Sequence, residues 1–573
     1  MDDIPDLVIR GGTVVDGTGG EPFVADVAIT DGRIEAIGRI VAHGVEEVDA
    51  TGLLVTPGFV DIHTHYDGQV TWSGRLAPSS CHGVTTVVIG NCGVGFAPCR
   101  PEDRDALISV MEGVEDIPEA VMAKGLPWNW ESFPDFLDSL DRRNWDVDVA
   151  AYVPHSPLRV YVMGQRGLDR EPATAADLEH MAALATEGIV AGAVGFATSR
   201  TAIHRRGDGE HIPSYHAAAD ELAAISAAVG RIGRGVIQMI PNLDTADYEL
   251  DVELLIRLAR ESGRPVTYSL AQWNSDRTGW KRTMERLRAC NQTYGTQLKA
   301  QVFPRPMGVI CGLDTSFNPF SFCPSYASLA ARPLADRLAA MRQADVRQRL
   351  LTEDPSEGPE GMRLLLRNFE GLYPLGITPD YEPAGDASVA ARARSRGISP
   401  VEMAYELLLE DEGQAVLLAP FSNFADGNLD AALEMMIDSD SVIGLGDGGA
   451  HYGLISDSSY PTTLLAHWTR DRKGRRIPLA QAVKALSADN ADLLGLSDRG
   501  RIAAGKKADI NIIDYQGLKL RRPHVTHDLP GGGRRLVQDA EGYRATIVNG
   551  VVTQRDGKPT GMRPGRLVRS GRL

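Results

Sequence analysis

The sequence predicts an α/β protein: a (β/α)₈ TIM barrel carrying a small β-sandwich built from its N- and C-terminal segments. Through the middle of the chain, short apolar runs alternate with amphipathic, Ala-rich stretches, the texture of parallel strands joined by crossover helices. Eight such runs occur, the number that closes a barrel. Both ends of the chain show instead the denser strand–turn alternation of antiparallel sheet. Chain ends commonly lie near one another, so the two ends are expected to build one unit.

Residues 1–57 read LVIRGGTVVDG, ADVAITDGRIEAIG and GLLVTPG, with Asp31-Gly32 as a hairpin turn. Barrel strands fall at GFVDIHTH (58–65), TTVVIGNC (85–92), VDVAAYV (147–153), GAVGFAT (192–198), RGVIQMI (234–240), RPVTYSL (264–270), QLKAQVF (297–303) and SVIGLGD (441–447). Helical patterns such as TAADLEHMAALATEGI and YHAAADELAAISAAVGRI separate most of them. The stretch 304–440 is too long for one βα unit and is rich in Pro, Phe and Tyr, as in FNPFSFCPSYASL and LYPLGITPDYEP. It reads either as a surface elaboration or as a lid over the C-terminal face of the barrel, where specificity loops sit. The barrel is expected over 58–495 with this insertion. RIAAGKKADINIIDY and RATIVNGVVTQRDGK, with turns at Gly505 and Asn549-Gly550, then supply the second half of the sandwich within 496–573.

The 573 residues carry 59 Lys and Arg against 76 Asp and Glu, a net charge of −17. That balance argues against sequence-independent nucleic-acid binding and against an anionic membrane surface. MDDIPDLVIR lacks the basic flank and apolar run of a secretory signal, and no stretch approaches the ~18 apolar residues of a membrane span. The six cysteines are sparse and none form C-x-x-C, which fits a reducing compartment. The expectation is a cytoplasmic protein acting on a small molecule, with no nucleic-acid or membrane partner and with a homo-oligomer left open.

His63-Thr64-His65 ends the first barrel strand. Residues i and i+2 of a strand face one side, so both imidazoles point into the barrel mouth, spaced to chelate one divalent ion. Asp447 ends the last strand in LGDGGAHYG; it reads as a metal ligand that also accepts a proton from water, or as a helix cap. Cys92 ends the second strand in IGNCGVGFAP and is either a thiolate ligand or a small buried hydrophobe. Arg200 and Arg305 close the fourth and seventh strands; each is read as a clamp for a substrate carboxylate or as half of a structural ion pair. His451 is read as a substrate-orienting or proton-carrying group or as a helix cap, and His155 as a substrate contact or a structural imidazole.

These residues carry a resemblance. VTPGFVDIHTH, the late GDGGAH and the following GRIAAGKKAD resemble the amidohydrolase superfamily. IGNCGVGFAP, MEGVEDIP, GLPWNWESFPDFLDSL and RVYVMGQRG resemble, more narrowly, the N-acyl-D-amino-acid deacylases. The resemblance implies a metal-dependent hydrolase with the family's H-x-H on His63 and His65, its Cys ligand on Cys92 and its catalytic Asp on Asp447. It also marks a departure. The family ends its fifth and sixth strands with histidines, whereas here those strands read GVIQMIPN and VTYSLAQW, and no histidine lies between His216 and His451. Gln238 and Ser269 or Gln272 stand in those places, with Gln238 a substrate-binding candidate. An amide oxygen is a poor zinc ligand beside imidazole, so one ion, zinc by ligand type, is expected rather than two. The function expected is metal-dependent hydrolysis of a C–N amide bond in an N-acyl amino acid. A cyclic-amide hydrolase on the same scaffold and a catalytically degenerate binding or assembly protein are the other readings.

Overall fold

Eight parallel strands lie side by side almost in chain order in a computed structural model, which describes residues 4–242 and 248–571. They are β1 (Phe59–Asp61), β2 (Val84–Ile89), β3 (Asp148–Pro154), β4 (Gly195–Ser199), β5 (Val236–Ile240), β6 (Val266–Ser269), β7 (Leu298–Val302) and β8 (Ser441–Ile443). All eight coincide with the apolar runs in the sequence. VTTVVI of β2 and DVAAYVP of β3 are buried at every position, as parallel strands covered on both faces must be. The ladders are shorter than the runs: β1 stops at Asp61 and β8 at Ile443. Beyond those points the chain is irregular, and there Thr64 bridges Gly448 in parallel. The His65 amide donates to the Gly448 carbonyl at 2.8 Å. This seam joins the first strand to the last and carries the functional residues.

Helices pack outside: α1 (Arg104–Glu115), α2 (Ala175–Ala191), α3 (Ala219–Ile232), α4 (Tyr248–Ser262), α5 (Gly279–Tyr294) and α6 (Asp430–Met436). α2 starts where Thr174 and Asp177 cap each other. The Asp177 amide donates to Thr174 Oγ1 at 3.2 Å and the Thr174 amide to Asp177 Oδ2 at 2.8 Å, worth about 1 kcal/mol. No helix among the described residues is long and apolar enough to cross a membrane.

The chain ends share one sheet of nine strands. Leu54–Pro57 pairs antiparallel with Ile510–Ile513, and Val14, Val27, Ile29, Val55, Ile510 and Ile547 form its core. The segment 304–440 holds an antiparallel sheet of Met307–Gly312, Val416–Ser422 and Tyr373–Leu375. Cys311, Phe320, Met341, Leu350, Val389 and Leu408 give it a core of its own. Its last part, α6, packs into the barrel core instead through Leu433 and Met435. The insertion roots at the C-terminal ends of the strands: the Ser316 amide donates to the Gly453 carbonyl at 2.9 Å and the Asn423 amide to the Gln272 carbonyl at 2.8 Å.

Residues 514–542 leave the end sheet as a strap. Within it His524–Thr526 pairs with Arg535–Val537, and the Leu536 amide donates to the Tyr452 carbonyl at 2.7 Å. At the opposite, N-terminal end of the strands, Asp148 is buried and takes Arg499 Nη1 at 2.6 Å, the Lys507 ammonium and the Arg566 amide at 2.9 Å. Burial opposes its ionisation, but Lys507 and Arg499 hold the carboxyl below the usual range.

Candidate metal centre

Four side chains from three strand ends converge at the seam. His63 Nε2 lies 3.3 Å from Cys92 Sγ and 3.4 Å from Asp447 Oδ1. His65 Nε2 lies 3.7 Å from the same sulfur and 3.6 Å from the same oxygen. Bonds of about 2.0–2.3 Å at a tetrahedral centre separate ligand atoms by about 3.3–3.8 Å. The two Nε2 atoms therefore stand at ligand spacing from a thiol and from a carboxylate.

The local backbone is built for this. Cys92 sits at φ +56° and Asp447 at φ +44°, left-handed conformations that side chains rarely adopt and that gather at functional sites. Gly93, φ +66°, lets the Cys92 turn press against β4, since a Cβ there would meet the Ala197 carbonyl oxygen at 2.8 Å. Asn91 Nδ2 ties the turn to the Thr64 and Val88 carbonyls at 3.2 and 2.8 Å. The Cys92 amide donates to Gln238 Oε1 at 3.1 Å. Gln238, expected at substrate, thus holds the thiol turn, and its Nε2 is buried without a partner.

The second nitrogen of one imidazole is hydrogen-bonded, and that of the other faces a buried carboxyl group. His63 Nδ1 donates to Gln301 Oε1 at 2.8 Å, and Gln301 Nε2 donates to Thr267 Oγ1 at 3.0 Å. His65 Nδ1 lies 3.2 Å from Glu115 Oε1. The Gln301 bond fixes the tautomer of His63 and aims its free nitrogen. His451 stands on the far side of Asp447, its Nε2 3.8 Å from Asp447 Oδ2 and 3.7 Å from Glu115 Oε2. His204, held by Ser199 Oγ at 2.9 Å, completes the surroundings. Burial and the nearby imidazoles of His65 and His451 push its pKa down to about 3.

The electrostatics ask for a cation. Burial pushes Asp61 and Asp67 up to about 8, and raises Glu115 and the Cys92 thiol far above their usual ranges. Burial also opposes Asp447, but hydrogen bonding to His65 and the nearness of His63 and His451 hold it low. Among the described residues, Asp67 Oδ2 and Glu115 Oε1 are buried without a hydrogen bond. None of Asp61, Asp67, Glu115 and Asp447 pairs with Lys or Arg among the described residues. Two imidazoles, a thiol and a carboxylate at these spacings, with surplus buried acid around them, fit a divalent ion.

Three expected site residues have polar partners outside this cluster. His155 is buried between Thr198 Oγ1 and Glu221 Oε1, both at 2.8 Å. Arg200 Nε donates to the buried Asp251 at 2.7 Å. Arg305 donates to Asp457 Oδ1 at 2.7 Å and Ser459 Oγ at 2.8 Å, under the Tyr381 ring at 4.1 Å. Glu115 and Gln301 are the residues the sequence reading passed over. MEGVEDIP and QLKAQVF contain them, but nothing in either run says which way the side chain turns.

The chain matches the amidohydrolase family over residues 46–554. An uncharacterised protein of Mycobacterium tuberculosis is 28% identical over 607 residues, covering 99% of this chain and 96% of that one. The D-aminoacylase of Alcaligenes xylosoxydans xylosoxydans is 25% identical over 573 residues, covering 98% and 97%. Among solved structures, an N-acyl-D-glutamate deacylase from Bordetella bronchiseptica, complexed with zinc and a phosphonate inhibitor, superposes with a TM-score of 0.66 at 22% identity, covering 99% of this chain and 100% of that one. That likeness carries the fold.

Proposed function

The chain belongs to the amidohydrolase family, hydrolases of carbon–nitrogen bonds other than peptide bonds, and from that premise we propose that it is a metal-dependent deacylase cleaving the amide of an N-acyl amino acid. The observation that carries the reading is the meeting of His63, His65 and Cys92, with Asp447 Oδ1 beside both imidazoles, among buried acids that no Lys or Arg of the described residues neutralises. The substrate class comes from the deacylase relatives, which act on N-acyl-D-amino acids.

His63, His65, Cys92 and Asp447 are the residues that would hold the ion. Zinc suits a set of two imidazoles, a thiolate and a carboxylate. One ion is favoured, because Gln238 Oε1 is already used by the Cys92 amide and β6 ends in Ser269. A divalent ion in such a set supplies Lewis-acid polarisation of an amide carbonyl and eases ionisation of water.

The chain's own part centres on Asp447, whose two oxygens face different neighbours. Oδ1 is turned to the ligand imidazoles and Oδ2 to His451. Oδ2 takes the proton of the attacking water and returns it to the leaving nitrogen. The imidazoles around the carboxylate keep it ionised and ready to accept. His451 borders Oδ2 and is the imidazole placed to meet the leaving group.

The test is metal analysis of the purified chain together with hydrolysis of a panel of N-acyl D- and L-amino acids. The expected result is about one zinc per chain and activity that a chelator removes and zinc restores. A chain that binds no transition metal, and hydrolyses none of the panel with zinc, cobalt or manganese added, overturns the reading.

A further inference from the structure

Glu115 is the last residue of α1 and is 1% exposed. No role for it follows from the ligand set or the proton transfer, yet it touches both sides of the site. Its Oε1 lies 3.2 Å from His65 Nδ1, a close contact without hydrogen-bond geometry, and neither atom has a hydrogen bond among the described residues. Its Oε2 lies 3.7 Å from His451 Nε2. Its backbone carbonyl accepts the His451 amide. One residue therefore faces a ligand imidazole with one oxygen and the neighbouring imidazole with the other, and holds His451 through the main chain.

The next residue anchors this arrangement. Asp116 ends α1 at φ +51°, so its side chain departs from that of Glu115. Asp116 Oδ2 accepts the Gly453 amide at 2.9 Å and Ser316 Oγ at 3.4 Å. The helix end is thus fastened to the turn after His451 and to the insertion. Glu115 is held in the site from behind, without support from solvent or a basic side chain.

The two ligand imidazoles differ in their outer partners. His63 leans on a neutral amide, Gln301, and His65 on a carboxyl group. A carboxylate partner orients an imidazole and also raises its basicity as a ligand.

We infer that Glu115 is a positioning residue that acts through His65 on metal affinity and through His451 on the geometry beside Asp447, with no contact to substrate. The inference rests on the metal-centre reading above. Its test compares wild type, Glu115→Gln, Glu115→Asp and Glu115→Ala. The measurements are the zinc dissociation constant from chelator competition, the visible spectrum of the cobalt-substituted protein, and thermal unfolding. Glu115→Ala is expected to weaken zinc binding by about 10- to 100-fold and Glu115→Gln by about tenfold, both with shifted cobalt bands. Glu115→Asp is expected to recover part of the loss.

The isosteric Gln keeps the site filled, so the comparison does not depend on the Ala variant folding. A folded Glu115→Gln protein with wild-type zinc affinity and an unchanged cobalt spectrum overturns the role of Glu115 alone. A wild-type chain that binds no metal overturns this inference and the functional reading together.

Discussion

Two groups of buried acids sit at opposite ends of the barrel strands, and they are built on opposite principles. At the N-terminal end, Asp148 is surrounded by Arg499, Lys507 and a backbone amide, and its carboxyl is held below the usual range. At the C-terminal end, Asp61, Asp67, Glu115 and Asp447 crowd around imidazoles and a thiol, and burial drives Asp61 and Asp67 up to about 8. The first group is complete within the protein. The second is in deficit by a cation. The contrast separates charge that holds the barrel to the end sheet from charge that, on the proposed reading, is kept for chemistry. It matches the general division of such barrels into a stability face and a catalytic face.

The contrast can be attacked from either end. Asp447→Asn is expected to lower turnover by about 10⁴-fold while leaving the thermal midpoint near wild type, read by steady-state kinetics and circular dichroism. Retention of a tenth of the activity would break the catalytic half of the comparison. Arg499→Met leaves Asp148 with Lys507 as its one cation beside the Arg566 amide, and should cost about 3–5 kcal/mol of stability in urea unfolding with zinc content unchanged. A variant that instead loses zinc and keeps its stability would reverse the assignment of the two ends. Gln301→Ala removes the outer partner of His63 and is expected to weaken zinc about tenfold, measured by chelator competition, with little change in unfolding.

The smallest effect concerns pH. Asp148 has a folded pKa below its unfolded value of about 3.9. Its contribution is therefore fully present above that value and is lost as pH falls through the lower, folded one. Arg499→Met brings the folded value back towards the unfolded one. Between about pH 5 and pH 3 the variant should thus lose less stability than wild type, by about 1 kcal/mol, in parallel urea titrations.

The barrel was legible because parallel strands buried on both faces must be written as apolar runs, and runs such as TTVVIGNC and VDVAAYV have no other use. His63 and His65 were legible because residues two apart at a strand end face one side, and the structure does bring both side chains beside Cys92. Glu115 was not, because it reaches His65 from the end of a helix whose position depends on the whole of residues 93–115. Gln301 lies on a strand that was found, but its inward turn is fixed by register with β6 and β8. The strap at 514–542 was not legible, since the sequence shows the β runs on either side of it, RIAAGKKADINIIDY and RATIVNGVVTQRDGK, but nothing between them that says the chain leaves the sheet. The insertion's separate core could not be seen for a related reason: residues such as Cys311, Leu350 and Leu408 become neighbours only when the antiparallel sheet forms.

The pairing of Leu54–Pro57 with Ile510–Ile513 has a consequence for how the molecule is made. During synthesis at about 5–20 residues per second, the earlier strand waits roughly half a minute to a minute and a half for a partner made some 450 residues later. Over that interval its exposed amides and carbonyls form an open sheet edge, the kind of template on which unfinished chains stick to one another. The demand this architecture makes on a cell is set as much by that wait as by the stability of the finished protein, and slower translation would lengthen it.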